Sequence, residues 1–564
     1  SLTHQPFPPD SLCTECPFGA ECIKGILKPK PNYFGLVHKE SVNFYRCPLS
    51  YCCLGKPEAP CDTIQSCSEN RQGFLCGQCK QGYSLSMTSE DCVPDSACNP
   101  SKFWAYIVVI ALGYMVFLVT KDSITHFVSN LSCFNFNLLS KFYASDRNYG
   151  YFSILMCFVQ MKEIIMSNDI DFENQTLDLP FLKYSEFTQN LFTIEISSLF
   201  QDICPYVGLS AKDKYFMKNI LVILIYSWWF IMLAISYCCK QRKLCKNGSL
   251  HLLIVKGMLE IGKYSYSRIA GITFITLTCK NIASLNIWYY DATVSCLAMW
   301  QWRSLMFAII YVIPFPFVSI FGPILLNKKQ ISAVEFLLAF TLPLPFLIKW
   351  MGQLLLLSQY FSKCVYDINE APVGCPLMKG CRTPLNKTLK ISGKDNSNVL
   401  LHELQGAVAG SFRYDHWDGI IELRMMILNL TLFISNTQMQ KFYVCIICSL
   451  NETLHRIYQP YKETLSNQAE SFSLHMLLLL STFSLYKAFL SEYKFEQRSN
   501  GANVLALIMN FENSVWTILL LYIIANRVKD MIWRKRNPKI PQRQLVSSAK
   551  ETSDPCPVAV PLKA

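Results

Sequence analysis

The first hundred residues of this chain and the remainder have incompatible compositions. Residues 1–98 hold twelve cysteines (Cys13, Cys16, Cys22, Cys47, Cys52, Cys53, Cys61, Cys67, Cys76, Cys79, Cys92 and Cys98) among proline, glycine and polar residues. From Phe103 onward, apolar runs of membrane-spanning length dominate. An even number of cysteines in a stretch too short for a large core reads as a disulfide framework, which persists only in oxidising surroundings. The amino-terminal module is therefore expected outside the cell. Zinc-like spacing occurs at Cys13-X-X-Cys16 and Cys76-X-X-Cys79, but the cysteines around them favour disulfides. No metal or cofactor is expected.

Of 564 residues, 51% are hydrophobic and only 16% charged, a balance that fits a polytopic membrane protein and not a soluble one. Much of the net charge of +12 sits in residues 240–263 and 527–543, both beside apolar segments. Lys and Arg in such places mark the cytoplasmic side, so membrane lipids are expected partners and nucleic acid is not. No cleavable signal precedes the prolines that follow Ser1, and the chain is expected to be a product of a longer precursor.

Ten segments approach the roughly 20 residues that a span requires. They lie at 103–120, 149–166, 219–239, 265–285, 304–326, 332–357, 420–436, 441–458, 470–490 and 503–525. With the module outside, three crossings bring the chain to the basic loop inside. An even number must then separate that loop from the basic tail, so one of the seven remaining segments does not cross. The candidate is 332–357, where Pro343 and Pro345 lie between Glu335 and Lys349 and broken backbone can re-enter among other helices. Nine spans remain. Six sequons occur, at Asn130, Asn174, Asn247, Asn386, Asn429 and Asn451, and under this topology only Asn174 faces outside. Glycosylation at Asn386 would mean that 332–357 crosses. A second outside loop, 286–300, carries Cys296, and Cys204 to Cys296 is a candidate bridge between the outside loops. Cys279, within the fourth span, is expected to be unpaired.

Several motifs occur together. They are Leu400-Leu-His-Glu-Leu-Gln-Gly406, Tyr414-Asp-His-Trp-Asp-Gly-Ile-Ile-Glu-Leu-Arg424, Tyr458-Gln-Pro-Tyr461 and Asn467-Gln-Ala-Glu470. Upstream lie Ile194-Glu195, Cys204, Trp288-Tyr-Tyr-Asp-Ala-Thr-Val-Ser-Cys296, Ile310-Tyr-Val-Ile-Pro314 and Asn70-Arg-Gln-Gly-Phe-Leu-Cys-Gly-Gln-Cys79. This set resembles large, uncharacterised animal surface proteins in which a cysteine-rich juxtamembrane module precedes a TRP-like bundle. Polycystins and fungal flavin-carrier-like proteins are more distantly similar. The resemblance implies architecture and leaves activity open. A TRP pore carries a re-entrant filter between its last two spans, whereas residues 491–503 here include Glu492, Lys494, Glu496 and Arg498 and look like a solvated loop.

Polar groups at membrane depth are costly and often functional. Asn510, Glu512 and Asn513 form the clearest cluster, readable as a cation or proton path or as hydrogen bonding between helices. Lys162 and Glu163 pair or snorkel near the outer end of the second span. Trp417, Glu422 and Arg424 mark an elbow at the cytoplasmic start of a span, which serves for gating or for anchoring. His475 reads as a hydrogen-bonding group within the bundle. There is no Walker loop, no Gly-X-Ser-X-Gly and no His-Glu-X-X-His, so an enzyme is not expected.

The expected fold is a polytopic all-α membrane protein of about nine, or ten, transmembrane helices with a small extracellular EGF-like or TNF-receptor-like disulfide domain. Residues 1–102 form that domain, 103–526 the TRP-like bundle, and 527–564 a basic then proline-rich cytoplasmic tail. Three functions stay open: a plasma-membrane protein sensing an extracellular ligand or load and passing cations, a receptor or adhesion protein with a non-conducting bundle, or a lipid or solute transporter. An extracellular ligand, a cytoplasmic partner of the tail and a homo-oligomer are the partners these readings imply.

Overall fold

The computed structural model describes residues 16–109 apart from short breaks at 24–25, 39–40, 49, 54–60 and 88. It further describes 112, 149–166, 203–241, 249–352, 412–434, 436–492 and part of 511–525. Asn510, Glu512, Asn513, Asn174, Cys13 and the 400–406 motif lie outside the described residues. The chain divides into two compact units, Ser1–Trp516 and Thr517–Ala564, and the elements that follow belong to the first.

Four antiparallel ribbons make up the amino-terminal module. They pair β1 (Ala20–Ile23) with β2 (Ile26–Pro29), β3 (Tyr33–His38) with β4 (Ser41–Arg46), β5 (Arg71–Gln72) with β6 (Gln78–Cys79), and β7 (Tyr83–Leu85) with β8 (Cys92–Pro94). An isolated two-stranded ribbon is marginal in water. Here the ribbons are stapled by Cys16–Cys22, Cys47–Cys52, Cys53–Cys61, Cys67–Cys76 and Cys79–Cys92.

Beyond the module the described chain is mainly helical. In order come α1 (Tyr149–Met166), α2 (Ala211–Gln241) and α3 (Ser249–Leu277). A three-stranded sheet interrupts them, with β9 (Cys279–Ile282), β10 (Leu285–Trp288) and β11 (Asp291–Ser295) in the order β11-β10-β9. Then follow α4 (Met299–Asn327), α5 (Ala333–Thr341), α6 (Trp417–Leu430), α7 (Thr437–Tyr458) and α8 (Thr464–Glu492). Within α4, Ala308–Val312 form a π turn just ahead of Pro314, whose missing N–H disturbs the regular ladder.

The sheet overturns three expectations: a helix over 265–285, an unpaired Cys279 and a Cys204–Cys296 bridge. The helix expected over 265–285 stops at Leu277, and the chain turns into β9 with Ala283 and Ser284 at φ of 52° and 67°. Two left-handed residues in a two-residue loop are the hairpin geometry that matches strand twist. Cys279 therefore lies on a strand beside the following segment and pairs with Cys296. Cys204, which precedes α2, pairs with Cys98 at the end of the module. The expected Cys204–Cys296 bridge is replaced by these two, giving seven disulfides among the described residues.

Segment 332–357 behaves as a broken element. α5 is capped by Ser332, whose hydroxyl accepts from Glu335 N, and it breaks at Leu342 before residues 343–352 resume as helix. Glu335 Oε1 accepts from Lys349 Nζ at 2.8 Å and Trp350 Nε1 at 3.1 Å. A continuous helix would hold residues 335 and 349 about 21 Å apart. The chain therefore doubles back on itself.

Small residues set the close approaches. A Cβ on Gly419 of α6 would stand 2.5 Å from Ile320 N of α4, and one on Gly322 would stand 2.7 Å from the Phe336 ring of α5. Glycine at 419 lets two helix backbones touch, as in membrane bundles, and at 322 it makes room for an aromatic ring.

The distribution of polarity on α7 is inverted relative to a soluble protein. Gln440, Lys441, Asn451, Glu452 and His455 are buried, while Phe442, Ile446, Leu450, Leu454 and Ile457 are exposed. On α2, Leu224, Trp228, Ile231 and Ile235 form an exposed stripe at helical spacing. Among the described residues, two helices, Met299–Asn327 and Thr464–Phe489, have the length and hydropathy of a membrane span. α7 falls short on mean hydropathy because of the polar groups it buries. The fold is thus largely helical with a disulfide-rich amino-terminal region.

Candidate functional site

Two clusters of polar residues stand out, joined by α3. The outer one fastens the disulfide module. Phe34, Tyr51 and Leu75 of the module share an apolar core with Ile282, Ile287 and Ala292 of the sheet. Leu85 and Cys92 pack with Ala211, Tyr215, Ile272 and Trp288, and Met87 and Val93 with Phe103, Cys204 and Leu209. Across this seam Lys214 Nζ of α2 meets Glu90 Oε1 at 2.9 Å and donates to Ser89 O at 2.6 Å. Burial pushes the Glu90 carboxyl up, but Lys214, then Lys218 and Arg71, outweigh it and hold the group below the usual carboxylate range. Burial raises the Tyr51 phenol, helped by the adjacent Glu90 carboxylate, to which its hydroxyl donates at 3.1 Å. At the sheet, Trp288 Nε1 donates to Ile275 O in the last turns of α3 at 3.2 Å.

The inner cluster lies under the elbow, and three of the sequence motifs converge there. Arg413 N donates to Pro460 O at 2.6 Å, and the rings of Phe412 and Tyr461 lie 4.7 Å apart. Trp417 packs beside Tyr458 at 6.1 Å. Asn467 accepts from Tyr461 N at 2.9 Å and returns a bond to Tyr461 O at 2.8 Å, while the His455 ring meets Asn467 O at 3.1 Å. Arg424 Nη1 reaches Glu470 Oε1 at 3.3 Å, with both side chains almost wholly buried, and its guanidinium lies 5.3 Å from the Trp417 ring. The start of α6 is also tied to α3, because Lys263 pairs with Asp418 and Asn429 Nδ2 reaches Ser267 O at 3.5 Å.

Glu422 is 3% exposed and lies against Ser319 and Lys263. A buried carboxyl is costly unless hydrogen bonds and a nearby cation satisfy it, and Ser319 and Lys263 are the groups beside this one. The elbow residues Trp417, Glu422 and Arg424 are thus brought together at one point in the bundle. Glu470 and Asn467 belong to the same point although spacing alone did not link them to Arg424. Their signal was a carboxylate and an amide at the start of an apolar span, where the opposite charge of Arg424 is the natural counterpart.

Other polar residues fall into structural bonds. Glu163 pairs with Arg268, and His475 Nδ1 lies 3.2 Å from Glu452 Oε1. Lys441 Nζ donates to Ile165 O at 2.6 Å. Among the described residues no group of three His, Cys, Asp or Glu side chains is placed to hold a metal ion. No family model, curated protein or solved structure matches this chain.

Proposed function

We propose that the chain is a multi-pass plasma-membrane sensor, TRP-like in architecture, in which a ligand or load on the extracellular disulfide module is passed to a cytoplasmic elbow. The observation that carries this reading is the position of α3. Near its carboxyl end it packs against the sheet that bears the module, through Ile272, Ile275 and Trp288. About 8 to 18 Å away along the same helix, Lys263 and Ser267 grip Asp418 and Asn429 of the elbow helix. A packed helix moves as a rigid body, so displacement of its outer end reaches the elbow.

Insertion in the membrane is supported by the exposed apolar faces of α2 and α7 over a buried polar interior, since lipid and not water suits that surface. Contacts at two places along the helices support a multi-pass arrangement. Arg46 of the module meets Thr437 at the start of α7, and the Lys263–Asp418 and Asn327–Asp415 contacts lie at the other end. Cation passage past Glu512 is the output proposed, on the polar cluster Asn510, Glu512 and Asn513 within an apolar segment.

The test is a magnetic bead attached through a tag at Ser1 of the full chain in cells, with whole-cell current recorded under load. The reading expects a load-dependent current that Cys98→Ser/Cys204→Ser reduces several-fold and Glu512→Gln changes in permeation. An unchanged response after the module is loosened, or no response to load at all, would count against it.

A further inference from the structure

The stretch between Lys280 and Arg303 runs through the outer sheet into α4 and holds a single charged residue, Asp291, which is buried. At ordinary soluble composition a segment this long carries about five charges. Its most exposed apolar residues are gathered in one place. Ile287 of β10 pairs with Ser295 of β11, and Cys296 N donates to Asn286 O at 3.1 Å. The same register brings Leu285 beside Leu297, where the ladder ends. Leu285 is 58% exposed, Leu297 67% and Met299, the first residue of α4, 83%.

Leu297 has φ of 60°, a left-handed backbone that suits Gly or Asn and strains a leucine. In water that residue combines two costs, a strained backbone and exposed apolar surface, and lipid removes the second. The patch continues into the exposed face of α4, where Met299, Trp302, Met306, Ile309 and Ile313 follow at steps of three and four residues. α4 has the length and hydropathy of a membrane span. Its 29 residues extend about 43 Å, more than the roughly 30 Å of a hydrocarbon core, so its ends reach into the headgroup layers. Trp302 and Arg303, both exposed, lie in its first turns. An indole favours that interface, and a guanidinium on a long stem reaches the headgroups.

We infer that Leu285, Leu297 and Met299 are seated in the outer leaflet of the bilayer, so that lipid holds the sheet at the point where α3 ends. The occupant is lipid and not a second protein, because the patch runs unbroken into the exposed apolar face of a spanning helix and offers no charge for a partner to pair with. Ile282, Ile287 and Ala292 of the same sheet are taken up by the core of the disulfide module. The sheet is thus held by the module and by the leaflet together, and lateral force in the leaflet acts on the outer end of α3. This inference rests on the reading of α4 as a span, and it names the bilayer as a source of load on the sensor.

The test uses the full chain in phosphatidylcholine nanodiscs, with photoreactive benzoylphenylalanine placed singly at position 285, 297, 450 or 37. Lipid adducts formed on irradiation are read as a mass shift of the intact protein. Leu450, exposed on α7, reports insertion of the bundle, and Val37, exposed on β3 of the module, reports stray collisions. Adducts at 285 and 297 should be as frequent as at 450 and several-fold more frequent than at 37. Where a probe at 285 or 297 unfolds the chain, judged by its thermal midpoint, position 299 takes its place with the same expectation. Adducts at 450 with only the background of 37 at the sheet positions would overturn the inference and leave membrane insertion standing. Absence of adducts at 450 as well would overturn both. A cross-link from 285 or 297 to a second copy of the chain, in place of lipid, would overturn the choice of occupant.

Discussion

Lys214 on the helix that enters the bundle and Glu90 on the disulfide module meet 2.9 Å apart, with the lysine fully buried and the carboxylate about a third exposed. Glu90 is held below its ordinary range, so its contribution to docking is present above the unfolded carboxylate value and is lost as pH falls through the folded one. Protection of the amides of residues 84–94, measured against their intrinsic exchange rates, should be high at neutral pH and should fall as pH drops below about 5, where an unfolded glutamate begins to protonate. Glu90→Gln should cost about 2 kcal/mol and remove the acid step, since it leaves Lys214 without its counter-charge.

Arg424 and Glu470 form the deepest ion pair among the described residues, and breaking it should be worse than removing it. Arg424→Met or Glu470→Met alone should destabilise the chain in micelles by about 3–5 kcal/mol, because each leaves a buried charge unpaired. The double variant should recover much of that loss. Equal and additive losses in the thermal midpoints would show that the two groups do not depend on each other.

At Gly419 the approach of α6 to α4 leaves no room for a Cβ, with Ile320 N only 2.5 Å from where one would stand. Gly419→Ala should therefore lower stability by about 1–3 kcal/mol, the ordinary cost of overfilling a packed contact. The same change at Gly82, whose Cβ position meets nothing within 4 Å, tests backbone strain alone, since its φ is +85°.

Glycan mapping checks the topology. Asn429 and Asn451 are buried in the bundle at 1% and 5% exposure and should carry no sugar. Asn174 should account for the whole glycosidase-sensitive mobility shift, and Asn174→Gln should abolish it. A residual shift lost only in Asn386→Gln would place 332–357 across the membrane in spite of its doubled-back helices.

Much of the architecture could be read in the residues, and the exceptions have physical causes. The density of cysteines and prolines marked the module, and the proline pair at 343 and 345 marked the broken segment that folds back from Leu342. The outer sheet was not legible, because the polar pair Lys280-Asn281 in β9 is too short a break to separate it from the apolar helix before it, and its turn uses Ala283-Ser284 in place of a glycine pair. That hidden turn brings Cys279 to Cys296 and leaves Cys204 for Cys98, which sequence spacing could not decide. At the elbow, the residue types were visible but their partners were not. Arg424 and Glu470 are 46 residues apart, and only helix packing brings them together.

The central claim is that α3 transmits between the module and the elbow, and amide exchange of the full chain in lipid nanodiscs tests it most directly. Cys279→Ser/Cys296→Ser releases the sheet at the outer end of α3 without touching the elbow. The account predicts faster exchange not only at 279–296 but also at 412–424, where Lys263 holds Asp418. Faster exchange confined to 279–296, with 412–424 unchanged, would contradict it.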